Sequence, residues 1–364
     1  MLRKFLLAIF FVMLFAPALQ MGFSIFDEKP IQENRVLTEK PEKVSLDDLV
    51  DGPKKYLAWF DDHFGFRSLL IRMKYQLDYT LFNASNRIHI GKDGWLFYRS
   101  VLDVEKPAVN DYLEKNSWEV VAGVKNLAES LKRKNIQLVV FIAPMKDVFY
   151  YENLPKTVDP NRNSSQILIL EDQLKNIANL YFLDARAILT ETLKERDVFH
   201  KTDFHWNDPA AFSVAQSLVN HLGKLEGHSN EIWNTHPKII YQESTGGEAN
   251  FLPLLSPLKE QGLYLDNSTL PPHTISRMDL PLDVFTLETP TGTSLKPIVM
   301  IGDSFLDGMI RAGLQAHFTK SYKAQWNALS LEKLVNNLPA DTKYLFIEFI
   351  EVSGSVFTQL ANQK

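Results

Sequence analysis

Apolar residues recur along this chain at spacings that predict short buried strands alternating with amphipathic helices. Strands are predicted at 137–143, 180–183, 297–301 and 344–349. Helices with one apolar face are predicted at 118–134, 165–178, 184–196, 209–223 and 330–338. Because strands that alternate with helices form parallel sheets, the pattern predicts an α/β fold with a doubly wound parallel sheet, an α/β/α sandwich.

The first 26 residues have the pattern of an export signal. A basic start precedes an apolar run from Phe5 to Phe26 that is interrupted by Ala-Pro-Ala at 16–18. The run is about as long as a bilayer is thick, and its positive end stays inside the cell. Ala-Pro-Ala is also a signal-peptidase pattern. We therefore predict a signal anchor or signal peptide, the uncut anchor being favoured, and a periplasmic location for the remainder.

Residues 27–52 are polar and contain prolines, so they are predicted to be a tether. Residues 53–364 are predicted to form one catalytic domain. It would open with two helices, at 53–64 and 69–81, whose apolar stripes are expected to pack in the core. An irregular insertion is predicted at about 224–295, with short strands at 238–241 and 283–287.

The segment Lys296–Phe305 is the first candidate for chemistry. A buried strand is followed by the turn Gly302-Asp303-Ser304 and by a helix predicted to run to about Phe318. Ser304 would stand at the edge of the sheet, with the free N–H groups of the helix facing the atom that it attacks. A simple helix cap is the alternative interpretation. Asp303 is expected to stabilise the turn.

A serine nucleophile needs a base, and the sequence offers one with its own carboxylate. Asp203 and His205 are two residues apart, so in an extended segment both side chains lie on one side. Asn207 and Pro209 then predict the start of a helix. The combination predicts a Ser304–His205–Asp203 triad.

Several motifs resemble the periplasmic polysaccharide O-acetyltransferases of the AlgJ/AlgX type, SGNH-hydrolase-like proteins also grouped as the DHHW family. Asp203-Phe204-His205-Trp206 precedes Gly302-Asp303-Ser304-Phe305, an order permuted relative to ordinary SGNH esterases. The matching pieces include Glu33-Asn34-Arg35, Asp62-His63-Phe64-Gly65-Phe66-Arg67, Gly91-Lys92-Asp93-Gly94-Trp95-Leu96-Phe97-Tyr98 and Ala143-Pro144-Met145-Lys146. The resemblance extends over about residues 33–350. AlgX-like members have a carbohydrate-binding module after the catalytic domain, and little chain follows Ser304 here, so the resemblance is closer to AlgJ.

This resemblance implies acetyl transfer through an acetyl-serine onto hydroxyls of an exported, alginate-like polysaccharide. It also implies a membrane-bound O-acyltransferase as the acetyl source and an attachment to the inner membrane. An acetyl esterase of the same fold, or a glycan-binding protein without chemistry, remains an alternative.

Other polar and aromatic residues are candidates for contacts with substrate. Lys146, Trp206 and Asn250 are predicted substrate residues, although a solvated or structural role is simpler for Lys146 and packing is simpler for Trp206. Asn250 and the Gly246-Gly247 backbone are also candidates for completing an oxyanion hole. A polyanionic acceptor would need basic residues, for which the candidates are Lys146, Arg186, Lys201 and Arg311.

Composition narrows the remaining choices. A net charge of −5 and the lack of a Gly-rich phosphate loop argue against nucleic-acid or nucleotide partners. The chain has no cysteine, which excludes disulfides and thiolate metal sites. His200, Asp203 and His205 have a spacing that a zinc ion could use, and this is the rival chemistry. No metal and no cofactor is predicted.

Overall fold

The computed structural model describes the chain except for residues 29, 32–34, 42–50, 159–164, 267, 269–272, 288–293 and 364. Much of the predicted tether, and Glu33 and Asn34 of the first family motif, lie outside the described residues. The contacts divide the chain into two compact units, one of residues 1–85 with 249–258 and one of residues 86–248 with 259–364.

The first unit contains three helices, α1 (Leu2–Phe23), α2 (Gly52–His63) and α3 (Arg67–Phe82). Among the described residues, α1 is the one helix that is long and apolar enough to cross a membrane. The prediction that the following two helices pack in the core is wrong for both. In α2 only Gly52 is buried and Leu57 is 61% exposed, and α3 has no buried residue. Periodicity shows which face of a helix is apolar but not what covers that face.

The second unit is built on a seven-stranded sheet with the order β4-β3-β11-β9-β10-β8-β7. Its first five strands are parallel to one another, and β8 and β7 are added at the edge by antiparallel pairing. The α/β prediction is therefore confirmed, although the sheet is mixed at this edge. The strands of this sheet are β3 (Gln137–Ala143), β4 (Leu180–Phe182), β7 (His273–Arg277), β8 (Asp283–Leu287), β9 (Ile298–Gly302), β10 (Ser321–Gln325) and β11 (Tyr344–Ile350).

Helices cover both faces of the sheet, and alternate side chains of each strand pack into different layers. In β3, Val139 and Phe141 face one core cluster, while Leu138 and Val140 face the other. The first layer holds α6 (Ala185–Leu193), α7 (Asp208–Leu225) and α9 (Ser304–Arg311); the second holds α4 (Lys106–Arg133), α5 (Ser165–Leu174), α10 (Leu331–Asn336) and α11 (Gly354–Ala361). Each predicted helix is present. The one predicted to extend to Phe318 ends at Arg311, before Gly313, which has a φ of 101°.

The predicted irregular insertion is more ordered than expected. Two hairpins account for most of it: β5 (Ile239–Ser244) pairs with β6 (Glu260–Leu265), and β7 with β8 extends the central sheet. The short helix α8 (Gly247–Asn250) lies between β5 and β6 in sequence, and a further hairpin of β1 (Ile88–Ile90) and β2 (Leu96–Tyr98) precedes α4. Strands β5 and β8 match the short strands predicted at 238–241 and 283–287. Strands β6 and β7 were not predicted, because their polar and apolar residues alternate only weakly.

The close packing of α4 on α11 depends on Gly123. A Cβ at this position would collide with the backbone carbonyl of Leu360. Gly123→Ala should therefore lower the free energy of unfolding by about 1–3 kcal/mol, because the helices must separate. Urea unfolding followed by tryptophan fluorescence measures the change. Gly354→Ala, whose new methyl would lie 3.7 Å from Val109 Cγ2, is the matched control. Equal stability of the two variants would contradict this packing.

Candidate active site

Ser304 is exposed at the first position of α9, directly after β9. The preceding Asp303 builds the turn with both carboxylate oxygens: Oδ1 accepts the N–H of Phe305 at 2.9 Å and Oδ2 accepts the N–H of Ile350 at 3.0 Å. Asp303 is thus the turn-stabilising residue that the sequence predicts. The nucleophile candidate lies at the carboxyl edge of the parallel strands, where α/β proteins place their sites.

The imidazole of His205 bridges Ser304 and Asp203. Its Nε2 lies 2.8 Å from Ser304 Oγ, and its Nδ1 lies 2.6 Å from Asp203 Oδ1. Asp203 Oδ1 also accepts the backbone N–H of His205 at 2.9 Å, and Oδ2 accepts that of Gly247 at 2.6 Å. Burial raises the pKa of Asp203, but these hydrogen bonds outweigh burial and hold the pKa well below its usual value. Asp203 is therefore a charged and fixed partner for the imidazole.

Both residues lie on a bent loop between Phe199 and Trp206, which pair as an isolated antiparallel bridge. Glu260 in β6 holds the loop by accepting the backbone N–H groups of Lys201 at 2.7 Å and Thr202 at 2.9 Å. The segment is a loop closed on itself rather than the extended piece that the sequence predicts. The aspartate and histidine nevertheless face one side, because the aspartate caps the histidine's own N–H.

Lys146, predicted to contact substrate, is buried beneath this loop with 2% of its surface exposed. Its Nζ donates to the backbone carbonyl oxygens of Lys201 at 3.2 Å and Asp203 at 3.0 Å, and it pairs with the buried Glu248. Burial raises the pKa of Glu248 to about 7, although Lys146 opposes the rise. Lys146 donates to the carbonyl oxygen of Asp203, and Glu248 directly follows Gly247, whose N–H donates to the Asp203 carboxylate. The ion pair of Lys146 and Glu248 therefore supports both the backbone and the side chain of Asp203. Lys146 holds the loop, which is the structural role that the sequence also allowed, and it is not among the residues that line the cleft beside Ser304.

A second pair of carboxyl groups lies behind the nucleophile. Glu348, fully buried in the apolar strand β11, accepts the N–H of Asp303 at 2.8 Å. Burial raises the pKa of Glu348 well above 4.5, and the nearby Asp303 raises it further. Burial also raises the pKa of Asp303. Both shifts favour a protonated carboxyl group in this pair, which reduces the repulsion between two like charges under the turn.

Ser304 opens onto a cleft of about 270 Å³. Arg311 is the member of the four predicted basic residues that lines it; this side chain is 55% exposed and lies 3.4 Å from Asp208. Arg186 is instead paired with Glu171 and Glu351, and Lys201 lines a neighbouring cavity. The expected basic surface is thus reduced to one arginine at the cleft.

The other two predicted substrate residues also differ from expectation. Trp206 is 1% exposed, and its ring packs 5.7 Å from that of Phe141 and 5.3 Å from that of Phe305. It is a core residue beneath the cleft. Asn250 is exposed at the end of α8 and groups with the first compact unit.

The rival metal ligands do not converge. Nδ1 and Nε2 of His205 face Asp203 and Ser304, while Nδ1 of His200 lies 4.0 Å from Glu260. Burial lowers the pKa of His200, which favours the neutral ring. Within the described part of the chain, no three acidic or histidine side chains are grouped as a metal would need.

The sequence predicts two sets of oxyanion donors, the Gly246-Gly247 backbone and the first N–H groups of the helix that begins at Ser304. The N–H of Gly246 donates to Thr202 Oγ1 at 3.1 Å and that of Gly247 to Asp203, so both are occupied. The backbone N–H of Ser304 has no acceptor among the residues that the structure describes, and it points out of the first turn of α9. This N–H is the donor that remains for an oxyanion formed at Ser304.

The fold and the site define an SGNH hydrolase-like protein. The family model described as "SGNH hydrolase-like domain, acetyltransferase AlgX" matches residues 88–315. This range contains most strands of the second unit's sheet, and it contains Asp203, His205 and Ser304. The chain belongs to this family, and the predicted SGNH-like fold is confirmed.

Relatives named "Probable alginate O-acetylase AlgJ" are similar in sequence. That of Pseudomonas aeruginosa is 32% identical over 166 residues, 44% of this chain and 40% of the relative. That of Pseudomonas putida is 24% identical over 258 residues, 68% of this chain and 62% of the relative. The chain thus spans less than two thirds of the length of these curated relatives.

Two solved structures are also similar. The O-acetyltransferase domain of Pseudomonas putida AlgJ has a TM-score of 0.48 and 20% identity, covering 76% of this chain and 99% of that one. Bacillus cereus PatB1 has a TM-score of 0.47 and 16% identity, covering 66% and 92%.

Sequence reasoning missed three carboxylates that build the site: Glu248, Glu260 and Glu348. Glu348 carried a signal, because it is a lone acid inside the apolar strand Tyr344–Ile350, and a buried acid needs a local partner. Glu248 and Glu260 gave no such signal in the sequence, because the residues that they contact lie far away along the chain.

The buried pair of Lys146 and Glu248 gives a stability prediction. Lys146→Met should lower the free energy of unfolding by about 3–5 kcal/mol, because Glu248 and two carbonyl oxygens lose their cation. Glu248→Gln should also destabilise, and the double variant should lose less than the sum of the two. A double-mutant cycle of urea unfolding measures the coupling. Additive losses would show that the two side chains do not act as a pair.

Proposed function

We propose that this chain is a periplasmic O-acetyltransferase that moves an acetyl group, through acetyl-Ser304, onto a hydroxyl of an exported polysaccharide. The observation that carries the proposal is the hydrogen-bonded series from Asp203 through His205 to Ser304, since 2.8 Å is within reach for proton transfer. Membership of the AlgX acetyltransferase family and the names of the AlgJ relatives support an acceptor of the alginate kind.

In the first half-reaction, Ser304 Oγ attacks the acetyl carbonyl of the donor while its proton passes to His205 Nε2. Negative charge collects on the former carbonyl oxygen, and the free Ser304 N–H is placed to donate to it. Charged Asp203 stabilises the imidazolium that forms. The tetrahedral intermediate then collapses, the proton on His205 moves to the leaving group, and an acetyl ester of Ser304 remains.

In the second half-reaction, a sugar hydroxyl gives its proton to His205 and attacks the acetyl ester. A second tetrahedral oxyanion forms and collapses, Ser304 Oγ recovers the proton, and the acetylated sugar leaves. Water can replace the sugar, because Ser304 is exposed and the cleft is open. An esterase is therefore the second candidate function, and the balance depends on how well the acceptor is held.

The acetyl donor and the location belong to the same proposal. Acetyl groups for periplasmic chemistry must cross the inner membrane, so a membrane-bound O-acyltransferase is the proposed source. The apolar helix α1 supports an anchor in that membrane. The anchor would hold the site close to such a partner.

Replacement of Ser304 tests the nucleophile. Ser304→Ala should reduce hydrolysis of p-nitrophenyl acetate by about a thousandfold or more, and His205→Ala nearly as much, because members of a triad act as a unit. Ser244→Ala, which removes another serine from the same cleft, is the matched control and should keep its activity. Wild-type turnover by Ser304→Ala would refute the triad, and loss of turnover with a chelator would favour the metal alternative.

The anchor is tested by fractionation. The chain should remain in the membrane after a high-salt wash, and a periplasm-active reporter fused after the last residue should be active, because α1 spans the bilayer with its basic end inside. The N-terminal sequence of the purified protein is the deciding measurement. A mature chain that begins at Leu19 would show cleavage after Ala-Pro-Ala and remove the anchor.

A further inference from the structure

A second cavity continues the catalytic cleft on the other side of the loop that carries Asp203 and His205. It has a volume of about 610 Å³, and His200 and Glu260 line both spaces. We propose that this cavity binds the sugars next to the one that is acetylated, so that the acceptor is an extended glycan chain with Tyr241 as its stacking platform. The inference rests on the proposed function and deepens it.

The need for such a subsite follows from the chemistry of a polymer. A sugar that presents its hydroxyl to Ser304 is covalently linked to its neighbours, which must leave the cleft through an adjoining space. The cleft of about 270 Å³ is at the small end for a ligand site, whereas the second cavity is within the usual range. The shared lining residues, His200 and Glu260, place the second cavity directly beside the first.

Tyr241 has the exposure and chemistry of a sugar platform. It lies in β5, across from Leu263 in β6, and is 74% exposed while lining the second cavity. An aromatic ring with a polar tip offers an apolar face to the C–H groups of a sugar and a hydroxyl to its rim. The structure describes no packing role for this ring that would explain its place on the surface.

Charged groups of both signs line the cavity, which suits the hydroxyl groups of a sugar better than a ligand with charge of a single sign. Arg196, Lys201 and Lys259 line it together with carboxylates that include Glu195 and Asp197. Arg196 is paired with Glu195 at 2.8 Å, so part of the positive charge is already balanced. Alternating donors and acceptors match sugar hydroxyls, which both donate and accept.

Gly262 lies at the boundary between the two spaces and lets β6 pack closely against two rings. A Cβ there would lie 3.0 Å from the ring of His200 and 2.8 Å from that of Tyr264. Both rings line the catalytic cleft, and Gly262 lines the second cavity. Any side chain at this position would therefore push into the boundary between the spaces.

Binding to the full-length Ser304→Ala protein tests the subsite without turnover. Oligouronates and neutral cello-oligosaccharides of increasing length are the probes, and calorimetry is the measurement. Affinity should rise with length in at least one series, and adding Tyr241→Ala should weaken the longest ligand about tenfold while leaving the monosaccharide unchanged, because only the longer chain reaches the ring. Tyr241→Trp should retain the affinity.

The matched control is Tyr151→Ala, which removes a tyrosine that is 52% exposed and outside both cavities. In the active protein, Tyr241→Ala should hydrolyse p-nitrophenyl acetate at the wild-type rate, since this small ester needs only the cleft. Absence of binding in both series, or equal losses from Tyr241→Ala and Tyr151→Ala, would overturn the subsite. Binding through Tyr241 without acetyl transfer to any glycan would support the subsite and refute the proposed transferase.

Discussion

The candidate site depends on how one carboxylate, that of Asp203, is held. Its two oxygens accept hydrogen bonds from the backbone and ring of His205 and from the backbone of Gly247. Beneath it, the buried ion pair of Lys146 and Glu248 gathers the carbonyl oxygens of the loop. Carbonyl oxygens that converge in the interior would be unfavourable without a cation, so the lysine makes the tight loop possible. The fixed carboxylate of Asp203 in turn sets the orientation of the His205 imidazole.

The nucleophile is positioned by a separate part of the fold. Parallel strands place the turn after β9 at the sheet edge, and the capping carboxylate of Asp303 fixes the start of α9. Glu348 supports this turn from the neighbouring strand by accepting the N–H of Asp303, and its raised pKa reduces the repulsion between the two buried acids. The loop and the turn are joined by the hydrogen bond between His205 and Ser304 and by the packing of the His205 and Trp206 rings against Phe305. The proposed chemistry therefore joins two elements that are each held by their own buried polar groups.

Local patterns in the sequence were sufficient for the fold class and for the proposed nucleophile and base. Ser304 follows an apolar strand, and Asp203 precedes His205 by two residues, so each feature is contained in a short segment. Strand β10 was missed because it buries polar residues such as Lys323, which pairs with an acid in α9. The role of Lys146 could not be inferred either, since its partner lies far along the chain and no spacing rule connects the two.

In the proposed mechanism an acetyl group passes through Ser304. Rapid quenching of the wild-type protein with p-nitrophenyl acetate, followed by peptide mapping in a mass spectrometer, tests this step. We expect a burst of p-nitrophenol and one acetyl group on the peptide that contains Ser304, because the ester forms before it is consumed. Addition of an acceptor glycan should remove that acetyl group. A burst with the acetyl group on another residue, or turnover with no acetylated peptide when deacetylation is slow, would refute acetyl transfer through Ser304.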